Sequence, residues 1–197
     1  MKKVIDFYNY LRTFPIYFLI LINKKSEILW EELNYWGNLY GMPVNKKMKL
    51  LKNILYCYPE YRNLLEHRFR NLCNCNYSAF VLRILWKKQD SLIIFTKDIG
   101  KNLFIQHGIA TIIAAKSIGD NCWINQQVTI GYTDNGAAPV IGNRVRISCG
   151  AKVLGNIKIE DDVIIGANAV VVKNVEKNQT VVGIPAKPIK HKNYNKY

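Results

Sequence analysis

The chain has little of what a metal enzyme, a disulfide-bonded scaffold or a membrane span would need. Only three histidines occur in 197 residues, His67, His107 and His191, which argues against a multi-histidine metal site, so no metal is expected. The five cysteines are an odd number. Cys73 and Cys75 stand one residue apart with no second pair to complete a zinc site or a disulfide framework. The expected setting is therefore the cytoplasm, with reduced thiols. Long apolar runs are also missing. The longest, Phe14 to Ile22, contains Pro15 and falls well short of the ~20 residues of a spanning helix. Lys2, Lys3 and Arg12 precede it, but Asn23-Lys24-Lys25 follows in place of a small-residue cleavage site. The run reads as a buried helix or an oligomer contact. The sharper alternative is a lysine-flanked anchor in peripheral contact with the inner face of the membrane.

Acidic residues are scarce as well: 14 Asp+Glu against 28 Lys+Arg, a formal net charge of +14. The basic excess is spread along the whole chain. No RNA- or DNA-binding signature accompanies it, so the expectation is a solvated basic surface and no nucleic-acid partner. Hydrophobic residues make up 49%, enough for a sizeable core.

Two halves differ in period. From Lys46 to Leu72 the apolar residues Leu51, Ile54, Leu55, Tyr58, Tyr61, Leu65, Phe69 and Leu72 follow helical spacing. Pro59 interrupts them. Because proline fits a first helical turn, two helices are expected to meet near Tyr58-Pro59. Ser26 to Tyr40 predicts another helix, capped by Ser26 and stopped by Gly41-Met42-Pro43. Residues 1–90 are expected to form a helical N-terminal domain, with Trp30, Trp36 and Trp86 in its core.

After Ser91 a small or aliphatic residue recurs every six positions: Ile99, Ile105, Thr111, Ile118, Ile124, Ile130, Ile141, Ile147, Val153, Ile159, Ile165 and Val171. Four positions after most of these stands another, such as Leu103, Ile109, Val128 or Val163. This is the signature of a solenoid. Each unit supplies a short strand and a turn, three units close a triangular coil, and the periodic residue points inward. One extra residue is expected near Lys116-Ser117. About five more fall in Gly131–Val140, where Tyr132-Thr133-Asp134-Asn135-Gly136 has turn chemistry and reads as a projecting loop.

The segments Leu103-Phe104-Ile105-Gln106-His107-Gly108, Cys149-Gly150-Ala151-Lys152-Val153-Leu154-Gly155-Asn156 and Val182-Gly183-Ile184-Pro185-Ala186-Lys187-Pro188 resemble those of the hexapeptide-repeat acyltransferases. Within that family, Ile99 to Pro188 looks like the serine acetyltransferase group and its polysaccharide O-acetyltransferase relatives. Tyr58-Pro59-Glu60-Tyr61-Arg62-Asn63 looks like capsule-type relatives. The resemblance implies a left-handed parallel β-helix over residues 91–188, followed by a basic tail, 189–197. It also implies a homotrimer with sites shared between subunits and acetyl-CoA as co-substrate.

It further implies that His107 is the general base that takes the proton of an attacking hydroxyl. An imidazole can both take and return a proton, which suits that role. Asp90, Glu66 and a backbone carbonyl are all open as the group that orients it. By the same resemblance a backbone N–H of Gly131 or Tyr132 would hold the oxyanion. Ser148, Cys149, Gly150 and Ala167 would line the acyl-CoA groove, and Lys173 and Lys187 would meet its phosphates. The chain departs from the serine acetyltransferase pattern where Gln106 replaces an aspartate and Gly136-Ala137-Ala138-Pro139 replaces an Asp-Arg-His-Pro stretch. A zwitterion in a dry site needs charged partners, so the expected acceptor is a neutral sugar or polysaccharide hydroxyl of a capsule, exopolysaccharide or lipopolysaccharide precursor. Serine O-acetylation in cysteine biosynthesis is the alternative, and a non-catalytic scaffold the second alternative.

Overall fold

The computed structural model describes residues 2–133 and 136–189. The chain divides into two compact units between Asp90 and Ser91.

The first unit is helical: α1 (Lys2–Leu21), α2 (Ser26–Leu39), α3 (Lys47–Cys57), α4 (Pro59–His67), a π-helical turn (Arg68–Leu72) and α5 (Asn76–Leu85). Pro59 opens α4, where its missing N–H costs nothing, and Tyr58 before it is extended (φ −123°), as a residue preceding proline prefers. Ser26 does not cap α2. It is the first helical residue, and Lys25 occupies the cap position without a side-chain hydrogen bond. Leu33, Trp36, Ile54, Leu64, Phe69 and Trp86 are buried together with Ile16 and Ile20 of α1. The opposite face of α1 is apolar too. Phe7, Leu11, Phe14 and Phe18 are all more than half exposed. Among the described residues no helix is long and apolar enough to cross a membrane.

The second unit is a parallel β-helix. Among the described residues, fifteen short strands form three sheets. The first contains β1 (Leu92–Ile94), β4 (Thr111–Ile113), β7 (Thr129–Gly131), β10 (Lys152–Leu154) and β13 (Val170–Val171). The second contains β2 (Asp98–Ile99), β5 (Ser117–Ile118), β8 (Val140–Ile141) and β11 (Lys158–Ile159). The third runs through β3 (Phe104–Ile105), β6 (Trp123–Ile124), β9 (Arg146–Ile147), β12 (Ile164–Ile165), β14 (Thr180–Gly183) and β15 (Ala186–Ile189), with β14 and β15 antiparallel. Two-residue strands are too short to stand alone. They persist because each coil stacks on the next and buries the inward column, in which Ile105, Ile124, Ile147 and Ile165 are each at most 1% exposed.

Sharp corners require left-handed backbone. Asn102, Asn121, Asp162, Asn168 and Asn178 supply much of it at positive φ, a conformation that asparagine and aspartate tolerate better than most residues. Between coils, corner amides are tied by side chains: Asp120 Oδ1 accepts from the Lys101 N–H, Asn143 Oδ1 from the Asp120 N–H and Asp161 Oδ1 from the Asn143 N–H, each at 2.8 Å.

The six-residue phase needs one correction. In the register of the first sheet, Ile113 and not Thr111 pairs with Ile130, which pairs in turn with Val153. Ile105 to Ile113 therefore spans eight residues, whereas Ile124 to Ile130, Ile147 to Val153 and Ile165 to Val171 span six. The extra length lies in the corner after β3 and not near Lys116-Ser117, where Ile113 to Ile118 is one residue short of six. Thr111 is nevertheless buried, while Ile109, expected to be a repeat position, is 56% exposed. Of the expected tail, 189–197, Ile189 ends β15, and residues 190–197 with His191 lie outside the described residues, as do Asp134 and Asn135 of the loop.

Candidate functional site

The corner after β3 is the one that is lengthened, and it carries His107. The imidazole-bearing residue is exposed and sits at φ +66°, followed by Gly108 at +48° and Ala110 at +52°. Three left-handed residues in four swing the chain outward before β4 resumes the stack. The excursion is pinned at its far end. The Ile109 carbonyl accepts from the Gln127 N–H at 2.8 Å and from Thr111 Oγ1 at 3.2 Å.

Below this corner the coils repeat in register. Gln106 N–H donates to Ile124 O (2.8 Å), Asn125 N–H to Ile147 O (3.0 Å), Ser148 N–H to Ile165 O (2.9 Å) and Gly166 N–H to Val181 O (2.9 Å). The ladder therefore aligns Gln106, Asn125, Ser148 and Gly166 in one column, with His107, Gln126, Cys149 and Ala167 next to it. Five expected site residues, His107, Ser148, Cys149, Gly150 and Ala167, thus share one edge of the β-helix. Close approach is built into this edge at Gly150. Its φ is +73°, and a Cβ there would fall 2.0 Å from Asn168 Oδ1.

Sequence reasoning missed three residues at this edge. Gln106 was noted only as a departure. Its Oε1 accepts from Trp123 Nε1 (3.2 Å) and Asn125 Nδ2 (3.1 Å). Trp123 is held by the edge of Phe104, 4.5 Å between ring centroids, and by the Arg146 guanidinium 4.8 Å from its own. Lys152 Nζ donates to the carbonyls of Gln127 (2.7 Å) and Gly150 (3.1 Å), fixing a cation at this edge. Their signal was positional, since Trp123 and Lys152 each precede an inward repeat residue.

The remaining expected residues lie elsewhere on the chain. Gly131 closes β7, the central strand of the first sheet, and Tyr132 follows it; neither shares an edge with His107. Lys173 and Lys187 do come together. They line a cleft of about 220 Å³ between β13 and the β14–β15 hairpin, with Pro185 and Pro188 in its wall. Of the groups considered for orienting His107, Asp90 is largely exposed and paired with Lys87 at 3.3 Å. Glu66 is paired with Arg70 (3.0 Å) and Lys88 (3.5 Å). Both carboxylates are thus engaged by cations of the helical unit.

A coil of this kind, with small residues along one edge and a histidine on a lengthened corner, is similar to that of hexapeptide-repeat transferases. Residues 138–173 match the bacterial transferase hexapeptide family (six repeats). Curated relatives with similar sequences include serine acetyltransferases. That of Staphylococcus aureus (strain Mu50) is 51% identical over 96 residues, covering 47% of this chain and 45% of the relative. The soybean serine acetyltransferase structure complexed with serine superposes with a TM-score of 0.61 at 25% identity, over 80% of this chain and 66% of that one. The Neisseria gonorrhoeae serine acetyltransferase, at 24% identity and a TM-score of 0.63 over 94% of this chain and 78% of that one, shares the fold. The chain spans about half the length of the curated relative it matches.

These findings overturn the expectation of a saccharide acceptor and of a role in polysaccharide biosynthesis. Relatives at half identity carry the name serine acetyltransferase. Missing charges in the loop do not by themselves exclude an amino-acid acceptor. Loss of an arginine and a histidine from a loop removes two partners, but fixed neutral donors also hold a carboxylate.

Proposed function

We propose that the chain transfers the acetyl group of acetyl-CoA to the hydroxyl of L-serine, with His107 as general base. The observation that carries this reading is the 51% identity over 96 residues to a serine acetyltransferase. The lengthened corner bearing an exposed His107 supports it. In the proposed step the imidazole takes the hydroxyl proton as the serine oxygen attacks the thioester carbon. The tetrahedral oxyanion then collapses, the carbon–sulfur bond breaks, and the imidazolium returns the proton to the CoA thiolate. Backbone donors such as the N–H of Gly131 or Tyr132, contributed by a neighbouring copy in a homotrimer, stabilise the oxyanion. Ser148, Cys149, Gly150 and Ala167 admit the pantetheine arm, and Lys173 and Lys187 meet the phosphates.

The reaction places the protein in the compartment that holds acetyl-CoA. The exposed apolar face of α1 supports a contact surface there, and sedimentation with and without anionic vesicles separates a membrane surface from another copy.

The test is free-thiol release from acetyl-CoA by the purified chain with L-serine. Turnover is expected, and His107→Ala should lower kcat by roughly 10²- to 10⁴-fold with the oligomer unchanged. No release with L-serine, or full activity in His107→Ala, overturns the reading.

A further inference from the structure

We propose that the contact surface of α1 extends onto α5 and that the two outward faces together dock the chain on an anionic lipid surface, independently of the acetyl-transfer chemistry. A helix at the rim of a core is ordinarily polar on the side turned to solvent. Both of these are apolar there. In α1 the inward stripe is Asn9, Thr13, Ile16 and Ile20, all buried. Phe7, Leu11, Phe14 and Phe18 fall on the opposite side by helical spacing, and each is more than half exposed. α5 repeats the arrangement. Ser78, Ala79 and Leu82 are buried, while Tyr77, Phe80 and Ile84, on its other side, are each more than half exposed. α1 packs against α5, so the two stripes lie on neighbouring helices. The Arg12 guanidinium, 3.5 Å from the Trp86 ring centroid, ties the middle of α1 to the end of α5. Apolar residues scattered singly over a surface are ordinary, but two adjoining stripes of them mark a contact site.

Charge selects the partner. α5 contains no Asp or Glu, and the single acid of α1, Asp6, is engaged by Lys52. Lys3 stands at one end of the α1 stripe, Lys24 and Lys25 follow its other end, and Arg83 precedes Ile84; all four are exposed. A second copy would bring the same cations against themselves, in a chain that already carries a formal charge of +14, and the like charges would oppose the pairing. An anionic lipid surface satisfies both features. The aromatic and aliphatic side chains enter the boundary between headgroups and acyl chains, and the lysines reach the phosphates. The helices lie on such a surface and do not cross it, since among the described residues no helix is long and apolar enough to do so.

The test is co-sedimentation of the full chain with vesicles of phosphatidylcholine alone and of phosphatidylcholine mixed with phosphatidylglycerol, together with the mass in solution without lipid. Pelleting is expected with the anionic vesicles, far less with the neutral ones, and less again as salt is raised. Phe14→Ser combined with Phe80→Ser should weaken binding by about tenfold or more. Lys24→Gln combined with Lys25→Gln should weaken it roughly ten- to thirtyfold. All four side chains are exposed, so denaturant midpoints close to that of the wild type are expected for both variants. No pelleting with the anionic vesicles, equal pelleting with both compositions, or full binding by either variant overturns the lipid contact. So does a mass without lipid that rises with concentration and falls back in the Phe14→Ser, Phe80→Ser variant, which would give the face to a second copy.

Discussion

Arg68 and Glu32 meet through two hydrogen bonds, Nη2 to Oε1 at 2.6 Å and Nε to Oε2 at 3.0 Å, with both side chains 2% exposed. Arg68 opens the π-helical turn and Glu32 comes from the middle of α2, so the pair fastens two helices inside a core of leucines and tryptophans. Breaking such a pair leaves a buried charge without compensation. Glu32→Ala is expected to cost about 3–5 kcal/mol, and replacing both partners with leucine and methionine to recover most of the loss. Denaturant unfolding of the single and double variants checks this. Tyr61 senses the same environment: burial, and then the Glu32 carboxylate, push its phenol well above the usual range.

Gly150 is the next test, because geometry and chemistry meet there. An added methyl group would occupy left-handed backbone and collide with Asn168 Oδ1. Gly150→Ala should cost about 1–3 kcal/mol and raise KM for acetyl-CoA more than KM for serine. Asn168→Gly, at a residue already at φ +58°, should restore part of the lost stability. Thermal melts and the two Michaelis constants decide whether the edge is tight for folding alone or for the pantetheine arm as well.

A third expectation concerns acid. Asp161 accepts from the Asn143 N–H at 2.8 Å and from Asn143 Nδ2 at 3.2 and 3.3 Å, and these bonds hold its carboxyl below the ordinary range. Asp162 is held down by Arg144, at 2.6 and 2.9 Å. A carboxylate with a depressed folded pKa stabilises above its unfolded value, near ~4. That contribution fades as pH falls through the folded value. The melting temperature should therefore drop on going from neutral pH to below ~4, and Asp161→Asn should flatten the drop. An Asp161→Asn melting profile parallel to the wild type would show that this carboxylate plays no part.

Much of the architecture was legible because burial repeats. Ile105, Ile118, Ile124, Ile141, Ile147 and Ile165 could be read as an inward column from spacing alone, and the structure buries each of them. The helix junction at Tyr58-Pro59 was legible because proline constrains both neighbours. The phase at Thr111 was not, because a count of six assumes corners of equal length. A buried threonine satisfies the count as well as Ile113 does, and only sheet register distinguishes them. His107 could be singled out by type and segment, and the structure sets it, exposed, on the lengthened corner. Gln106 was read only for the charge it lacks. Its orientation depends on Trp123 and Asn125, seventeen and nineteen residues away in sequence and adjacent only through the coil.

The lengthened corner after β3 leaves no trace one coil later. Ile113 resumes the column opposite Ile130 as though nothing had been inserted. Loop length at this point is therefore decoupled from the integrity of the stack, and the corner behaves as an interchangeable fitting on a standard rail. Residues can be added or deleted between His107 and Thr111 while the scaffold stays as it is, and under the proposed function such changes would alter the acceptor side alone.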